Sequence, residues 1–173
     1  LFRSSFDRAW LHEVLTSQPL SQVLVLDWDY QICSIQPAIS YDFLVGWTKE
    51  PAISSDLIRQ VKGAIKEEFL QESQSAVKNL EKGLREGNQK DIKTSIKRAD
   101  KNLKSLNPLI YTPALKELQE STEDLFACAK SSGAGGGDCG IALSFDPVET
   151  QILIKRWKKK NIEVIYQERM GDS

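Results

Sequence analysis

The sequence predicts an α+β fold: a small, largely antiparallel sheet covered by helices. Three observations carry that expectation. Short runs rich in aromatic and β-branched residues lie at 30–35, 41–47, 140–145 and 163–166, and long stripes of apolar residues at helical spacing lie between them. The order reads helix, two strands, three helices, strand, helix, strand, which lacks the regular alternation of a parallel sheet. At 173 residues the chain suits one domain, long enough to bury roughly two thirds of its unfolded surface.

Taken in order, Phe6, Trp10, Val14 and Leu15 share one face of a first helix, with Asp7 near its positive end and Pro19 closing it. The apolar run 23–26 fits a strand or a buried helix, because periodicity over so short a run cannot separate them. Runs 30–35 and 41–47, joined through Pro37, are expected to pair as a hairpin. From Ser54 the period becomes helical. Leu57, Val61, Ala64, Ile65, Phe69, Ala76, Val77, Leu80 and Leu84 form one stripe, which Gly87-Asn88 stops. Ile92, Ile96, Ala99, Leu103 and Leu106 form a second stripe ending at Asn107-Pro108, so these two helices should pack as a pair. Thr112 and Pro113 open a third helix as cap and first-turn proline. Leu115, Leu118, Thr122, Leu125 and Ala129 continue along one side up to a glycine-rich segment. After the strand at 140–145, Asp146 caps a helix with Pro147 in its first turn and Glu149 at the capping-box position; Ile152, Leu153 and Trp157 are its core face.

Apolar residues make up 40% of the chain and charged residues 27%, with a net charge of −1. This is an ordinary globular composition that gives nucleic acid no general attraction. Cys33, Cys128 and Cys139 are an odd number at wide spacings, unlike a disulfide framework or a CxxC zinc site, which points to a reducing cytoplasm. No apolar run nears the roughly 20 residues of a bilayer span, and no signal-peptide pattern opens the chain, so no membrane partner is expected. The opening Leu1-Phe2-Arg3 reads like a cut from a longer protein. His12, the single histidine, has no partners for a metal site or a triad and reads as packing or surface. The run Lys155-Arg156-Trp157-Lys158-Lys159-Lys160 falls late in a helix, where cations suit the dipole, and reads as a solvated face rather than a nucleic-acid contact.

Packing does not explain the segment from Lys130 through Ser131, Ser132, Gly133, Ala134, Gly135, Gly136, Gly137, Asp138 and Cys139 to Gly140. Each glycine inside a regular element would cost about 0.5–1 kcal/mol relative to alanine. A backbone without Cβ atoms can approach a ligand closely and turn successive N–H groups toward one anion. Read alone, the tract is equally compatible with a flexible connection. A Walker A or dinucleotide loop is rejected, because the helix is expected before the loop and the strand after it, and no Gly-Lys-Ser/Thr occurs. Cys139 lies in this polar segment and reads as structurally inert by default.

Gly133 to Gly140 with the following Ile141-Ala142-Leu143 resembles the third signature motif of the GHMP kinase superfamily, and Asp138-Cys139 is the form found in its phosphomevalonate kinase family. The stretch from Asp42 through Gly46-Trp47-Thr48-Lys49 to Glu50, followed by Ser54-Ser55, is similar to that family's strand and substrate segment. Tyr166-Gln167-Glu168-Arg169 also fits. The resemblance implies a ferredoxin-like C-terminal domain of about four strands over 30–173, with 1–29 bridging from a preceding nucleotide-binding domain.

It further implies a phosphotransferase that moves the γ-phosphoryl group of ATP, with Mg2+, to 5-phosphomevalonate, giving 5-diphosphomevalonate and ADP in the mevalonate route to isoprenoids. The implied partners are 5-phosphomevalonate, ATP and the N-terminal domain. By the same resemblance Ser132, Gly133, Ala134, Gly135 and Gly136 close over the acceptor and reacting phosphates. Ser54 would contact phosphomevalonate, with Ser55 beside it. Read as a residue alone Ser54 is a helix N-cap, and the two roles are compatible. Asp138 is the weaker candidate for a catalytic carboxylate, since an aspartate ending a glycine run commonly bonds local backbone. The family's Pro-x-x-x-Gly-Leu-Gly-Ser-Ser motif, its N-terminal lysine segment and its Gly-Asp stretch do not occur. The expectation is therefore no catalytic residue and no metal ligand in this chain, with ATP and Mg2+ held mainly by the other half, and no activity from the chain alone. A non-catalytic ligand-sensing or interaction module on the same fold is the alternative.

Overall fold

The computed structural model describes the backbone of residues 23–26 and 32–34, and residues 35–50, 61, 63–132 and 137–171 in full. The calls on the first helix, His12, Leu57 and the helix start at Ser54 lie outside these residues. Strands β1 (Val23–Leu26) and β2 (Ile32–Ile35) form a small antiparallel sheet. β3 (Tyr41–Trp47) precedes helices α1 (Glu67–Glu86) and α2 (Gln89–Leu106), a 3-10 turn (Pro108–Ile110) and α3 (Pro113–Glu120). β4 (Ala127–Ser131), β5 (Cys139–Ser144), α4 (Pro147–Lys159) and β6 (Glu163–Met170) follow. The second sheet has the order β4-β5-β3-β6, antiparallel throughout. Helices between β3 and β4 and between β5 and β6 complete the β-α-β-β-α-β pattern, so the predicted α+β class and ferredoxin-like sheet are what the chain forms.

Alternation along the strands gives each face its own core. Leu44, Ala129 and Ala142 share one face with Leu118 of α3 and with Leu153 and Trp157 of α4. Tyr41, Cys128 and Leu143 share the other with Leu84 of α1 and with Ile92 and Ile96 of α2. The α1–α2 turn needs glycine, because Gly87 has φ of 67° and a Cβ there would stand 2.6 Å from the Ala38 carbonyl oxygen. Across the pair, Arg98 grips Glu72 through two hydrogen bonds of 2.8 Å, and Asn102 donates to the Phe69 carbonyl at 2.9 Å.

Three expectations need correction. β2 does not pair with β3: its partner is β1, and both edges of β3 are taken by β5 and β6. The connection through Pro37 is instead tied to α1, where Ala38 N–H donates to the Leu84 carbonyl at 2.8 Å. The third helix does not run to Ala129. It ends at Glu120, a turn with Asp124 at φ of 62° follows, and Ala127 opens a strand. The apolar spacing is misleading there because Leu125, Ala127, Cys128 and Ala129 are all buried, the strand being covered on both faces. The stripe from Val61 to Leu84 is also two pieces, since residues 61 and 63–64 are helical but Ile65 and Lys66 are not. Val61 packs with Ile110, Tyr111 and Leu115, whereas Leu80 and Leu84 pack against Ile92 and Ile96. Within that stripe Val77 faces solvent, as does Ile152 in part on α4.

The cap readings at Thr112 and Asp146 hold. Thr112 Oγ1 accepts from Leu115 N at 3.3 Å, and Asp146 Oδ1 accepts from Val148 N at 2.7 Å and Glu149 N at 3.0 Å. The capping-box acid is the exception: the Glu149 carboxylate accepts from the backbone N–H of Phe126, fastening the approach to β4.

Candidate functional site

The glycine-rich segment connects two adjacent antiparallel strands, β4 and β5, rather than a helix and a strand. The strand that follows it has no helix N-terminus to offer an anion, so the rejection of a Walker A loop stands on firmer ground. Residues 133–136 lie outside the described part, as do Ser54 and Ser55, so the structure describes only the two stems of the segment. Ser132 is exposed and its N–H donates to the Cys139 carbonyl at 2.9 Å, the last rung of the ladder before the connection.

At the returning stem Gly137 has φ of 123°, a backbone that a side chain would strain. Its carbonyl accepts the hydroxyl hydrogen bond of Thr48, which is buried just past the end of β3. Thr48 N–H donates to the Asp138 carbonyl at 2.9 Å, and its hydroxyl lies 3.0 Å from that oxygen. Asp138 is exposed, and its backbone rather than its carboxylate makes this anchor. The carboxylate stands near Cys139, where burial first and then the Asp138 charge push the thiol up from its ordinary value. A thiol held protonated is a poor nucleophile. Cys128, fully buried in β4, is pushed up to about 12 by burial.

The departing stem is held from the other side. Ser131 N–H donates to the Tyr111 hydroxyl at 3.3 Å, and that hydroxyl donates to Asp100 Oδ1. Asp100 Oδ2 accepts from Gln119 Nε2 at 2.5 Å and pairs with Lys104 Nζ at 2.9 Å. Lys104 also lies over the Tyr111 ring, 4.5 Å from its centroid. Lys130, mostly buried, donates to the Ser131 carbonyl; desolvation lowers its pKa, and Asp100 opposes that shift. Sequence reasoning passed over Tyr111 and Asp100, and quoted Thr48 and Lys130 only as parts of motifs. A hydroxyl directly after a strand and close to the substrate segment was a usable signal for Thr48. Nothing local marks Tyr111.

Other charged features settle as structural. Arg156 donates to the carbonyls of Ser121 and Glu123 and grips Asp124, and Lys160 pairs with Glu117 at 3.0 Å. Arg156 therefore closes the turn before β4, and Lys155, Lys158 and Lys159 are exposed. Asp42 and Arg169, both within stretches that resemble the kinase family, sit opposite each other on β3 and β6 and pair at 3.2 Å. Among the described residues no three His, Cys, Asp or Glu side chains converge as a metal site, and no helix is long and apolar enough to cross a membrane.

The comparisons with known proteins agree with this architecture. The family profile described as GHMP kinases C terminal matches residues 74–163, just over half of the 173 residues. The phosphomevalonate kinase of Streptomyces sp. (strain CL190) is 29% identical over 148 residues, which are 79% of this chain and 40% of that protein. The crystal structure of Streptococcus pneumoniae phosphomevalonate kinase superposes with a TM-score of 0.80 at 46% identity, over 96% of this chain and 52% of that one. The same enzyme in complex with phosphomevalonate and AMPPNP superposes with a TM-score of 0.79 at 44% identity, over 96% and 50% of the two chains. The chain thus spans about half the length of the relatives it matches. With its β-α-β-β-α-β sheet, its glycine-rich connection between β4 and β5 and this family match together, the chain belongs to the GHMP kinase family and carries that family's C-terminal domain.

Proposed function

We propose that this chain is the substrate-binding C-terminal part of a phosphomevalonate kinase, which transfers the γ-phosphoryl group of ATP to 5-phosphomevalonate and releases 5-diphosphomevalonate and ADP in the mevalonate pathway. The observation that carries the reading is the 46% identity, over 96% of this chain, to a Streptococcus pneumoniae phosphomevalonate kinase. That enzyme's structure with phosphomevalonate and AMPPNP supports both substrates. Residues 30–173 are the domain, and 1–29 lead into it from the nucleotide-binding half.

In this reading a phosphate oxygen of phosphomevalonate attacks the γ-phosphorus of ATP in line, and the bond from that phosphorus to the β-phosphate bridging oxygen breaks, leaving ADP. The acceptor needs little help from a base, because a phosphate monoester has its second pKa near about 6 and is already largely ionised at neutral pH. The barrier is the meeting of two anions, so positioned donors matter most. Ser132, Gly133, Ala134, Gly135 and Gly136 supply hydroxyl and N–H donors around the acceptor and reacting phosphates, and Ser54, with Ser55 beside it, holds the phosphomevalonate. Mg2+, held with the nucleotide by the other half, would offset phosphate charge; among the described residues of this chain no three His, Cys, Asp or Glu side chains converge to hold it. The odd number and wide spacing of the cysteines support a reducing cytoplasm as the compartment.

The test is Gly135→Val in the complete enzyme. A β-branched side chain there blocks close approach of the backbone to a phosphate, so turnover falls by about 100–1000-fold, the cost of removing a well-placed transition-state donor. Thermal stability stays near wild type. Wild-type turnover in Gly135→Val sinks the assignment.

A further inference from the structure

We propose that Thr48 and Tyr111 are positioning residues that clamp the two stems of the glycine-rich connection and so fix where it leaves β4 and where it enters β5. This rests on the reading of that connection as the phosphate-binding element. The clamp is asymmetric in construction. On the β5 side one buried residue makes the contacts: Thr48 uses its N–H on the Asp138 carbonyl at 2.9 Å and its hydroxyl on the Gly137 carbonyl. The same hydroxyl oxygen accepts from Glu50 N at 3.3 Å, which ties the chain entering residues 51–60 to the same atom. Ser54, the candidate acceptor contact, belongs to that stretch. Lys49 between them holds a left-handed backbone, φ 64°, with its ammonium 3.3 Å from the Glu163 carboxylate.

On the β4 side the contact is a relay. The Tyr111 hydroxyl commits its proton to Asp100, so its lone pairs face the Ser131 N–H. Asp100 is in turn held by Gln119 and Lys104, which leaves the phenol little rotational freedom. Burial first, then the Asp100 hydrogen bond, raise the phenol above its ordinary range, which keeps it protonated for that bond. β4 is an edge strand, and Tyr111 satisfies an N–H on its open side at the last residue before the connection. A catalytic backbone displaced by about 1 Å loses on the order of 100-fold in rate, so stems held this way bear on turnover rather than on folding alone.

The experiment compares Thr48→Val, Thr48→Ser, Tyr111→Phe and Gly135→Val in the complete enzyme, measuring kcat, both KM values, Tm and amide exchange. The expected result for Thr48→Val and Tyr111→Phe is a fall in kcat of about 10–100-fold with KM values within about threefold, the pattern of a lost transition-state interaction. Amide exchange should rise over residues 131–139 and nowhere else. Thr48→Ser, which keeps the hydroxyl, recovers kcat to within about threefold of wild type. Normal kcat in Thr48→Val or Tyr111→Phe removes that residue from the clamp, and normal kcat in both while Gly135→Val is inactive overturns the clamp but leaves the phosphate reading standing. Normal kcat in Gly135→Val as well overturns the reading beneath it. A fall in Tm with faster exchange across the whole sheet overturns the positioning role in favour of a structural one.

Discussion

The two ends of the main sheet treat their polar groups in opposite ways. At the end where Asp42 faces Ser144 and Arg169, side chains satisfy one another. Thr150 Oγ1 donates to Asp42 Oδ2 at 2.7 Å and stands 2.8 Å from Ser144 Oγ, while Arg169 reaches the same carboxylate at 3.2 Å. Asp42, Ser144 and Thr150 are buried. At the other end, where Trp47 faces Cys139, buried side chains bind backbone instead. Thr48 and Tyr111 hold the stems at Gly137, Asp138 and Ser131, and the residues between are glycine apart from Ser132 and Ala134. A closed polar cluster secures one end, whereas at the other end side chains anchor the main chain on either side of the glycine-rich connection. Buried groups at both ends are paired apart from the Ser131 hydroxyl, which has no partner among the described residues, so the difference lies in whether side chains satisfy one another or hold main chain.

The largest test of that contrast is Trp157→Ala, because this residue fills the core on one face of the sheet that both ends belong to. It is fully buried, its indole N–H donates to the Leu118 carbonyl at 3.0 Å, and its ring fills the space a Cβ on Gly46 would enter at 2.8 Å. Its truncation is expected to cost about 3–5 kcal/mol, read as a lower denaturant midpoint, with both ends lost in one transition. If the glycine-rich end melted first, the two ends would be separate units.

A narrower break is Asp42→Ala, which strips the closed end of the carboxylate that Thr150 and Arg169 share. The expected loss is about 1–3 kcal/mol of stability, with kcat of the complete enzyme within about twofold of wild type because the change is confined to the far end. A large fall in kcat without loss of stability would show that the far end also serves the reaction.

The smallest test concerns Cys139, which lies beside the anchored stem. Its pKa is raised, so less thiolate is present at any given pH than for a free thiol. Alkylation of Cys139 should therefore be slow at neutral pH and rise only above the pH at which a free cysteine responds. Asp138→Asn removes the neighbouring charge and should move that rise to lower pH. Cys128, pushed up to about 12 in the core, should react only after unfolding. Rapid alkylation of Cys139 at neutral pH would contradict the arrangement of Asp138 around it.

Local chemistry was enough for much of the fold. Helical spacing marked α1, α2 and α4, and the caps at Thr112 and Asp146 and the left-handed stop at Gly87 act where side-chain chemistry places them, because each works within a few residues of itself. The glycine-rich tract was legible for the same reason: its composition disfavours any regular element, whatever surrounds it. Strand identity was less secure. Ala127-Cys128-Ala129 is apolar on both faces and so presents no alternation, and the apolar spacing from Leu115 to Ala129 is what a helix would show.

What only the tertiary structure decided is which distant groups meet. That β3 lies between β5 and β6 rather than beside β2, that the glycine-rich connection leaves from a strand, and that Thr48 and Tyr111 hold its stems all depend on pairings far apart in the chain. Thr48 and Gly137 are 89 residues apart, and Tyr111 and Ser131 are 20 apart. Periodicity determines which face of an element is buried, since that depends on near neighbours in sequence. It carries no information about the partner across the interface, because any strand with the same alternation offers the same backbone donors and acceptors. The choice among them is made by the packing of the whole core.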